Sequence, residues 1–307
     1  MSALIEVAIP ALNEASTIGK VIRDFQQALP DAQIVVYDNG STDATGELAI
    51  RAGAYVRKVP RKGKGFVVQH IFESSQADAV LLVDGDDTYE AQDAQRLLEP
   101  ILSQDADMVM GRRIEDSQIP YRRPLRWWGN RILTKIFNAI FRGSFRDILS
   151  GYRCFSRRFL EEVPLVTSGF EIETELLLQA LELGMVVQEV SIRFRNRPPG
   201  SQSKLQAFTD GYRIFMTMLI LLRDHRPLFV FGICSGALGL LAMTRGQNGI
   251  LLWQVSLVLL LVGLVLNTVN TRFREIQSLL RRPRRAKGKG SPVTKLEDSE
   301  CQPSFQR

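Results

Sequence analysis

The sequence predicts an α/β domain with a mostly parallel sheet, followed by a pair of membrane-spanning helices. Three observations predict it. Short apolar runs alternate with amphipathic runs through the first 115 residues, as strands and helices do when a parallel sheet is covered on both faces. These apolar runs give way at their carboxyl ends to loops rich in charged and turn-forming residues, the place where open α/β sheets bind ligands. Residues 227–243 and 250–269 are uncharged apolar runs, each of a length that crosses about 30 Å of hydrocarbon as a helix.

Taken in order, residues 4–9 read as strand one and residues 10–14 (PALNE) as the loop at its end. Ser16 and Thr17 then start a helix that runs to Leu29. Residues 32–37 form strand two, closed by the acidic turn Asp38-Asn39-Gly40-Ser41-Thr42-Asp43. A helix through Arg51, a strand near 54–59, the basic loop Arg61-Lys62-Gly63-Lys64-Gly65 and a helix to Ser75 follow. The fourth strand, 79–83, is continuously apolar, as a central strand requires, and runs straight into Asp84-Gly85-Asp86-Asp87-Thr88. A helix over 91–102 leads to a strand at 107–111 that ends in Arg112-Arg113, and a guanidinium matches phosphate bidentately.

The remaining elements concern the membrane. Residues 121–142 form a basic amphipathic helix with Leu125, Trp128, Ile132, Ile136 and Ile140 at helical spacing and Arg126, Arg131, Lys135 and Arg142 between them. Such a helix either faces a core or lies in an anionic interface, and the tryptophans near its start point to the interface. A strand at 186–194 and a second amphipathic stretch, 205–223, with Phe208, Tyr212, Phe215, Leu219 and Leu222 on one face, lead to the two apolar runs. Their connector, 244–249, carries only Arg245, whereas Arg223 and Arg226 precede the pair and Arg272, Arg274, Arg281 and Arg282 follow it. Both ends of the pair are therefore expected in the cytoplasm. The tail beyond Arg284 has a disordered composition, with a basic start suited to anionic lipid.

At 307 residues and 45% hydrophobic, the chain has room for one large domain and a smaller part. The expected divisions are 1–204, a catalytic domain; 205–226, an interfacial helix; 227–269, the two spans; and 270–307, a basic tail. Net charge is only +6, and much of the excess lies in and after the apolar third. Cys154, Cys234 and Cys301 lack metal-ligand spacing and suit a reducing compartment. His70 and His225 are too few and too far apart for a zinc site.

The acid cluster at 84–88 has three chemical readings. A calcium loop of the EF-hand type fails, because its sixth position would be Tyr89 and its twelfth Gln95. A D-x-D-x-T phosphotransferase would use Asp84 as nucleophile and Asp86 as acid/base. It needs a downstream acidic pair, and the adjacent acids Glu115-Asp116 and Glu297-Asp298 end no apolar strand. The third reading is a D-x-D whose hard oxygens hold Mg²⁺ or Mn²⁺ against a diphosphate.

Pro10-Ala11-Leu12-Asn13-Glu14, Asp38-Asn39-Gly40-Ser41-Thr42-Asp43, Gly63-Lys64-Gly65 and Asp84-Gly85-Asp86-Asp87, in this order and spacing, resemble the family 2 glycosyltransferases of the GT-A fold. The resemblance covers most of the first 115 residues. It implies that Pro10, Leu12, Asn13, Glu14 and Asp38 hold the base and ribose of a nucleotide-sugar. It further implies that Lys64, Gly85 and Arg113 line the donor site, and that Asp84 and Asp86 bind metal and diphosphate. Asp147-Ile148-Leu149-Ser150-Gly151-Tyr152-Arg153, Gly169-Phe170-Glu171-Ile172 and Ser203-Lys204-Leu205 resemble the branch that makes polyprenyl-phosphate sugars, typified by dolichyl-phosphate mannose synthase. Thr88 and Pro198-Pro199 depart from the mannose synthases. Arg123 stands where Q-x-x-R-W of the processive synthases would need Gln, which argues against processive synthesis.

What the resemblance implies is a membrane-bound inverting transferase moving one sugar from a GDP- or UDP-sugar to undecaprenyl or dolichyl phosphate. Asp86, Asp147, Arg113, Arg153 and Lys204 are the expected catalytic residues, with Mg²⁺ or Mn²⁺ as cofactor. Arg131 and one of Arg195 and Arg197 are further candidate phosphate contacts. The expected partners are the donor, the lipid acceptor and the membrane, with no nucleic acid and with self-association left open. The alternatives are a membrane-anchored phosphotransferase using Asp84 and a non-catalytic scaffold.

Overall fold

In the computed structural model the described residues are 3–114, 124–141, 143–169, 171–195, 197, 212, 214–216, 219–220, 222–224 and 226–280. They form two units, 1–222 and 223–307. Lys204, Arg142, residues 115–123 with Arg123, and the tail from 281 lie outside the described residues.

The first unit is built on a seven-stranded sheet. In chain order its elements are β1 (Ile5–Ala11), α1 (Ile18–Ala28), β2 (Gln33–Asp38), α2 (Thr45–Arg51), β3 (Tyr55–Lys58), α3 (Lys64–Ser74), β4 (Ala79–Leu82), α4 (Ala94–Leu102) and β5 (Met108–Ile114). Then come α5 (Pro124–Phe141), β6 (Arg153–Ser156), α6 (Arg157–Glu162), α7 (Ile172–Glu182) and β7 (Val187–Arg193). The strand order is β3-β2-β1-β4-β6-β5-β7. All pairs are parallel except those of β6, which runs antiparallel to both neighbours, Leu82 and Met110 each standing opposite Arg153.

Alternation along the strands divides the core into two layers. On β1, Val7 and Ile9 face α1 and α4, while Ala8 faces α3, α5, α6 and α7. On α1 the buried Ile18, Val21, Ile22 and Phe25 follow the spacing of one helical face. Burying each contributes about 1.5–3 kcal/mol. Phe137, Phe155 and Phe159 form the centre of the opposite layer.

Three details depart from the expected elements. Strand β5 runs on to Ile114 because it pairs with β7 along its whole length, so Arg112 and Arg113 lie within a strand. Helix α1 begins at Ile18, and the Thr17 hydroxyl is drawn instead to the Gly85 carbonyl at 2.7 Å. Helix α5 buries Leu133, Thr134 and Phe137, leaving Trp128 and Ile132 exposed beside the exposed Arg131 and Lys135. Its inward face is therefore the row of Leu133 and Phe137.

The Gly63-Lys64-Gly65 motif has a packing cause. A Cβ on Gly65 would stand 2.1 Å from the Thr167 carbonyl oxygen, and one on Gly63, whose φ is +132°, 2.3 Å from that of Ser168. The 167–168 segment cannot retreat easily, since the Glu175 carboxylate accepts from the backbone N–H groups of Val166 and Thr167. Gly65→Ala is thus expected to destabilise the domain by about 3 kcal/mol or more, read as a lowered unfolding midpoint with the donor absent.

The second unit is a helical hairpin, α8 (Pro227–Thr244) and α9 (Ile250–Leu280). The helices meet closely where Gly263 faces Phe231 and where Ser235 and Ser256 exchange hydrogen bonds. Two stretches, Pro227–Thr244 and Ile250–Phe273, are long and apolar enough to cross a membrane, and only 22% and 11% of them are buried within the protein. Their outward apolar side chains, among them Leu240, Leu251 and Val265, require an apolar surrounding.

Candidate active site

The carboxyl ends of β1, β2 and β4 carry the predicted acids, and side-chain hydrogen bonds lock their loops together. Asn13 takes a left-handed backbone, φ +50°, and its side-chain oxygen accepts from the Thr42 N–H at 2.8 Å. The Glu14 N–H donates to the Thr45 hydroxyl at 2.8 Å. Asp38 turns its own loop by accepting from the Ser41 N–H at 2.8 Å. Asn39 donates to the carbonyls of Val59 and Arg61 and accepts from the Gly63 N–H, tying the second loop to the third. Pro10, Leu12, Asn13, Glu14 and Asp38 therefore belong to one braced wall, with Glu14 and Asp38 buried in it.

Next to β4, carboxylates and cations alternate. Asp84 accepts from the Lys64 ammonium at 2.7 Å, and the same ammonium lies 2.8 Å from Glu173 on α7. Burial alone would lower the Lys64 pKa, but the two carboxylates outweigh it and hold the ammonium charged well above its ordinary range. Gly151 comes so close that a Cβ there would stand 2.6 Å from an Asp84 oxygen and 3.0 Å from the Lys64 nitrogen. Gly85 leaves ordinary contact distances to Ile9 and Ile18.

Asp86 is 4% exposed; one oxygen accepts from the Thr88 hydroxyl at 2.6 Å and the other pairs with Arg197. Burial and then the neighbouring Asp84 charge push its carboxyl above the usual carboxylate range, with Arg197 and Thr88 opposing. Asp87 is left-handed at φ +57° and bonds Lys20 at 2.7 Å, while Arg195 pairs with Glu90. The Arg195 N–H also donates to the Thr88 carbonyl at 2.8 Å, so the segment after β7 is strapped to the acid loop.

A second cluster forms between β5 and the loop before β6. Arg113 grips Asp147 with two donors, at 2.6 and 2.8 Å, and Asn130 of α5 adds a third at 3.0 Å. Burial would raise the Asp147 pKa; the guanidinium and these donors prevail and hold it below the usual range. The Arg113 guanidinium lies 5.2 Å from the Phe194 ring, which packs on Tyr89, and the Tyr89 hydroxyl accepts from the Gly151 N–H at 3.0 Å. Burial pushes that phenol up to about 12. The two clusters are joined through these shared contacts.

Arg153 does not join them. Its register on β6 turns it into the core, fully buried, where the guanidinium donates to the Ser150 and Ile148 carbonyls at 2.9 and 2.7 Å. Burial lowers its pKa to about 10. It remains charged at neutral pH and braces the turn that carries Asp147 and Gly151, so the expected phosphate contact is corrected to a supporting role. Lys204 lies outside the described residues. Sequence reasoning missed Glu173, Thr17 and Asn130; in the sequence Glu173 reads as one of several acids in the first turn of a helix.

Among the described residues no three His, Cys, Asp or Glu side chains converge on a common point. Asp84 and Asp86 instead offer an incomplete set of hard oxygens, which fits Mg²⁺ or Mn²⁺ completed by water and phosphate oxygens.

The profile described as "Glycosyl transferase family 2" matches residues 6–164. "Glycosyltransferase AglJ" of Haloferax volcanii is 40% identical over 227 residues, 74% of each chain. "Dolichyl-phosphate hexose transferase" of the same organism is 26% identical over 220 residues, covering 72% of this chain and 94% of that one. The glucosyl-3-phosphoglycerate synthase of Mycobacterium tuberculosis, solved with Mn²⁺, UDP and glucosyl-3-phosphoglycerate, superposes with a TM-score of 0.58 at 25% identity, over 71% of this chain and 79% of that one. The profile match extends from β1 through α6, over the braced loops and the acid pair, and with the long match to a 40% identical relative it establishes that this chain belongs to glycosyltransferase family 2.

Proposed function

We propose that this chain is a membrane-bound inverting glycosyltransferase that moves one sugar from a nucleotide-sugar to a polyprenyl phosphate. The observation that carries the reading is the acid pair at the end of β4, Asp84 half-buried and Asp86 buried, already neutralised by Lys64 and Arg197. Such a site can exchange protein cations for a metal and a diphosphate. The dolichyl-phosphate hexose transferase relative supports the acceptor class, and the Mn²⁺–UDP complex of the structural neighbour supports the donor class and the metal.

In this reading Asp84 and Asp86 hold Mg²⁺ or Mn²⁺, which when bound offsets the negative charge that develops on the departing nucleoside diphosphate. Glu14 and Asp38 accept from ribose hydroxyls or base N–H groups, and Pro10, Leu12 and Asn13 form the apolar and turn-forming part of that wall. Gly85 leaves room beneath the diphosphate, and Lys64 supplies a positive charge beside it. The acceptor phosphate, with a second pKa near 6, is mostly dianionic at neutral pH and needs no general base. Its oxygen attacks the anomeric carbon from the side opposite the leaving diphosphate, forming the new C–O bond as the old one breaks, with inversion. Bringing two anions together costs several kcal/mol at intermediate dielectric. Arg113 and Lys204, with Arg131 as a further contact, offset that repulsion, and Asp147 orients Arg113 without acting as a base.

The two apolar helices hold the enzyme in a cell membrane, and the exposed Trp128, Ile132, Arg131 and Lys135 of α5 suit an anionic interface. The arginine excess outside the hairpin supports a topology with the catalytic domain and both ends of the hairpin on the cytoplasmic side. In a cysteine-free background, Gln247→Cys is expected to react with an impermeant thiol reagent applied to intact cells; protection there, with labelling only after lysis, reverses the topology.

Membranes containing the enzyme, given a panel of labelled GDP- and UDP-sugars with undecaprenyl or dolichyl phosphate, are expected to form one labelled lipid of inverted anomeric configuration, and none in EDTA. Transfer to water-soluble acceptors alone, or retained configuration, overturns the reading.

A further inference from the structure

Lys64 is shared between two carboxylates that have different tasks. Asp84 belongs to the proposed metal pair, whereas Glu173 lies on α7, 5% exposed, with Lys64 as its ion-pair partner at 2.8 Å. A divalent cation taken up by Asp84 draws on the same negative charge that holds the ammonium, and the two positive charges then repel one another in a partly buried site. When Asp84 takes up the metal, Lys64 must therefore weaken that contact, and a buried ammonium left with no second carboxylate would resist the change. Gly151 packs against both groups, close enough that a Cβ there would clash with an Asp84 oxygen.

We propose that Glu173 is a positioning residue that holds Lys64 by its second contact and so releases Asp84 to the metal, leaving the ammonium docked for the donor diphosphate. The inference rests on the reading of Asp84 and Asp86 as the metal pair. Glu173 touches neither substrate nor metal; it acts through Lys64. In its absence Lys64 has, among the described residues, Asp84 as its one close carboxylate, and the protein's own cation competes with the metal for that group. On the neighbouring acid, Arg197 pairs with Asp86 from the segment after β7.

The test measures Mn²⁺ binding to the full-length enzyme in detergent, with UDP present, by the loss of the free Mn²⁺ electron paramagnetic resonance signal. Glu173→Gln keeps the shape and one acceptor but removes the charge, and is expected to weaken Mn²⁺ binding roughly tenfold. Its turnover is expected to recover toward the wild-type value as Mn²⁺ is raised, and Glu173→Asp to restore much of the affinity. Lys64→Met frees Asp84 altogether and is expected to shift the affinity the opposite way, binding Mn²⁺ more tightly while turnover collapses. Opposite signs in the two variants distinguish competition for Asp84 from a general loss of folding, which weakens both. Unchanged Mn²⁺ affinity in Glu173→Gln, or weaker binding in Lys64→Met, overturns the inference and leaves the metal site standing. A wild-type enzyme that binds no Mn²⁺ with UDP overturns the metal reading itself, and the inference with it.

Discussion

An Asp86→Asn enzyme is expected to lose turnover by about a thousandfold or more, with the fold intact. The amide keeps the size of the side chain and an oxygen for the Thr88 hydroxyl, which lies 2.6 Å from the native carboxylate. It loses the charge. That charge is costly to maintain, because burial and the nearby Asp84 both push the carboxyl toward its neutral form. A site that holds such a carboxylate by a cation and the Thr88 hydroxyl and N–H is built to attract positive charge, and the amide removes the attraction for metal and Arg197 together. Steady-state rates over a range of Mn²⁺ concentrations check this. Wild-type turnover by Asp86→Asn, or full wild-type turnover in EDTA, contradicts it.

The second large effect separates Arg113 from Asp147. Arg113→Ala is expected to cost roughly a thousandfold in kcat/KM, since it removes the guanidinium proposed to meet the acceptor phosphate and leaves Asp147 buried without that partner. Asp147→Asn is expected to cost only about tenfold, with an unchanged pH–rate profile, because the amide oxygen still orients Arg113. Stability responds in the reverse manner to pH. The Asp147 carboxyl is depressed in the folded protein, so its contribution is fully present above the unfolded value of about 3.9 and is lost as pH falls through the lower folded value. Asp147→Asn should therefore be less stable than wild type by about 3 kcal/mol at neutral pH, and the gap should close only in that acid window. A dead Asp147→Asn enzyme that binds both substrates normally makes Asp147 a base and refutes the orienting role.

Much of this site could be read from residue order because it lies where chain direction dictates. Parallel strands deliver their carboxyl-end loops to one edge of the sheet, so Asn13, Asp38 and Asp84 follow from finding the strands. The hairpin was equally legible, since uncharged runs of such length have few other uses. What escaped depends on side-chain direction. Arg153 stands in a motif beside Asp147, yet strand parity decides which way it points, and a one-residue change of parity would have aimed it at the opposite face. On α5 both Trp128-Ile132 and Leu133-Phe137 are apolar rows, and spacing alone does not say which one meets the core. Glu173 is invisible for another reason: its partner Lys64 lies more than a hundred residues away, and only the packing of α7 against α3 brings them together.

The reversed strand β6 has a consequence for how this chain tolerates changes in length. A parallel strand contributes only the loop that follows it to the site edge, but a reversed one contributes the loop that precedes it. Because Arg153 at the start of β6 stands opposite Leu82 at the end of β4 and Met110 within β5, the run from Asp147 to Gly151 arrives beside Asp84 and Arg113. A residue inserted between Phe145 and Gly151 would shift Asp147 off Arg113 or drive a Cβ-bearing residue toward Asp84. The same insertion between Ser156 and Arg157, at the far end of β6, would disturb the cap that Ser156 makes on α6 at the opposite edge and leave the site side chains in register. Insertion scanning across this one strand should thus give sharply unequal outcomes at its two ends.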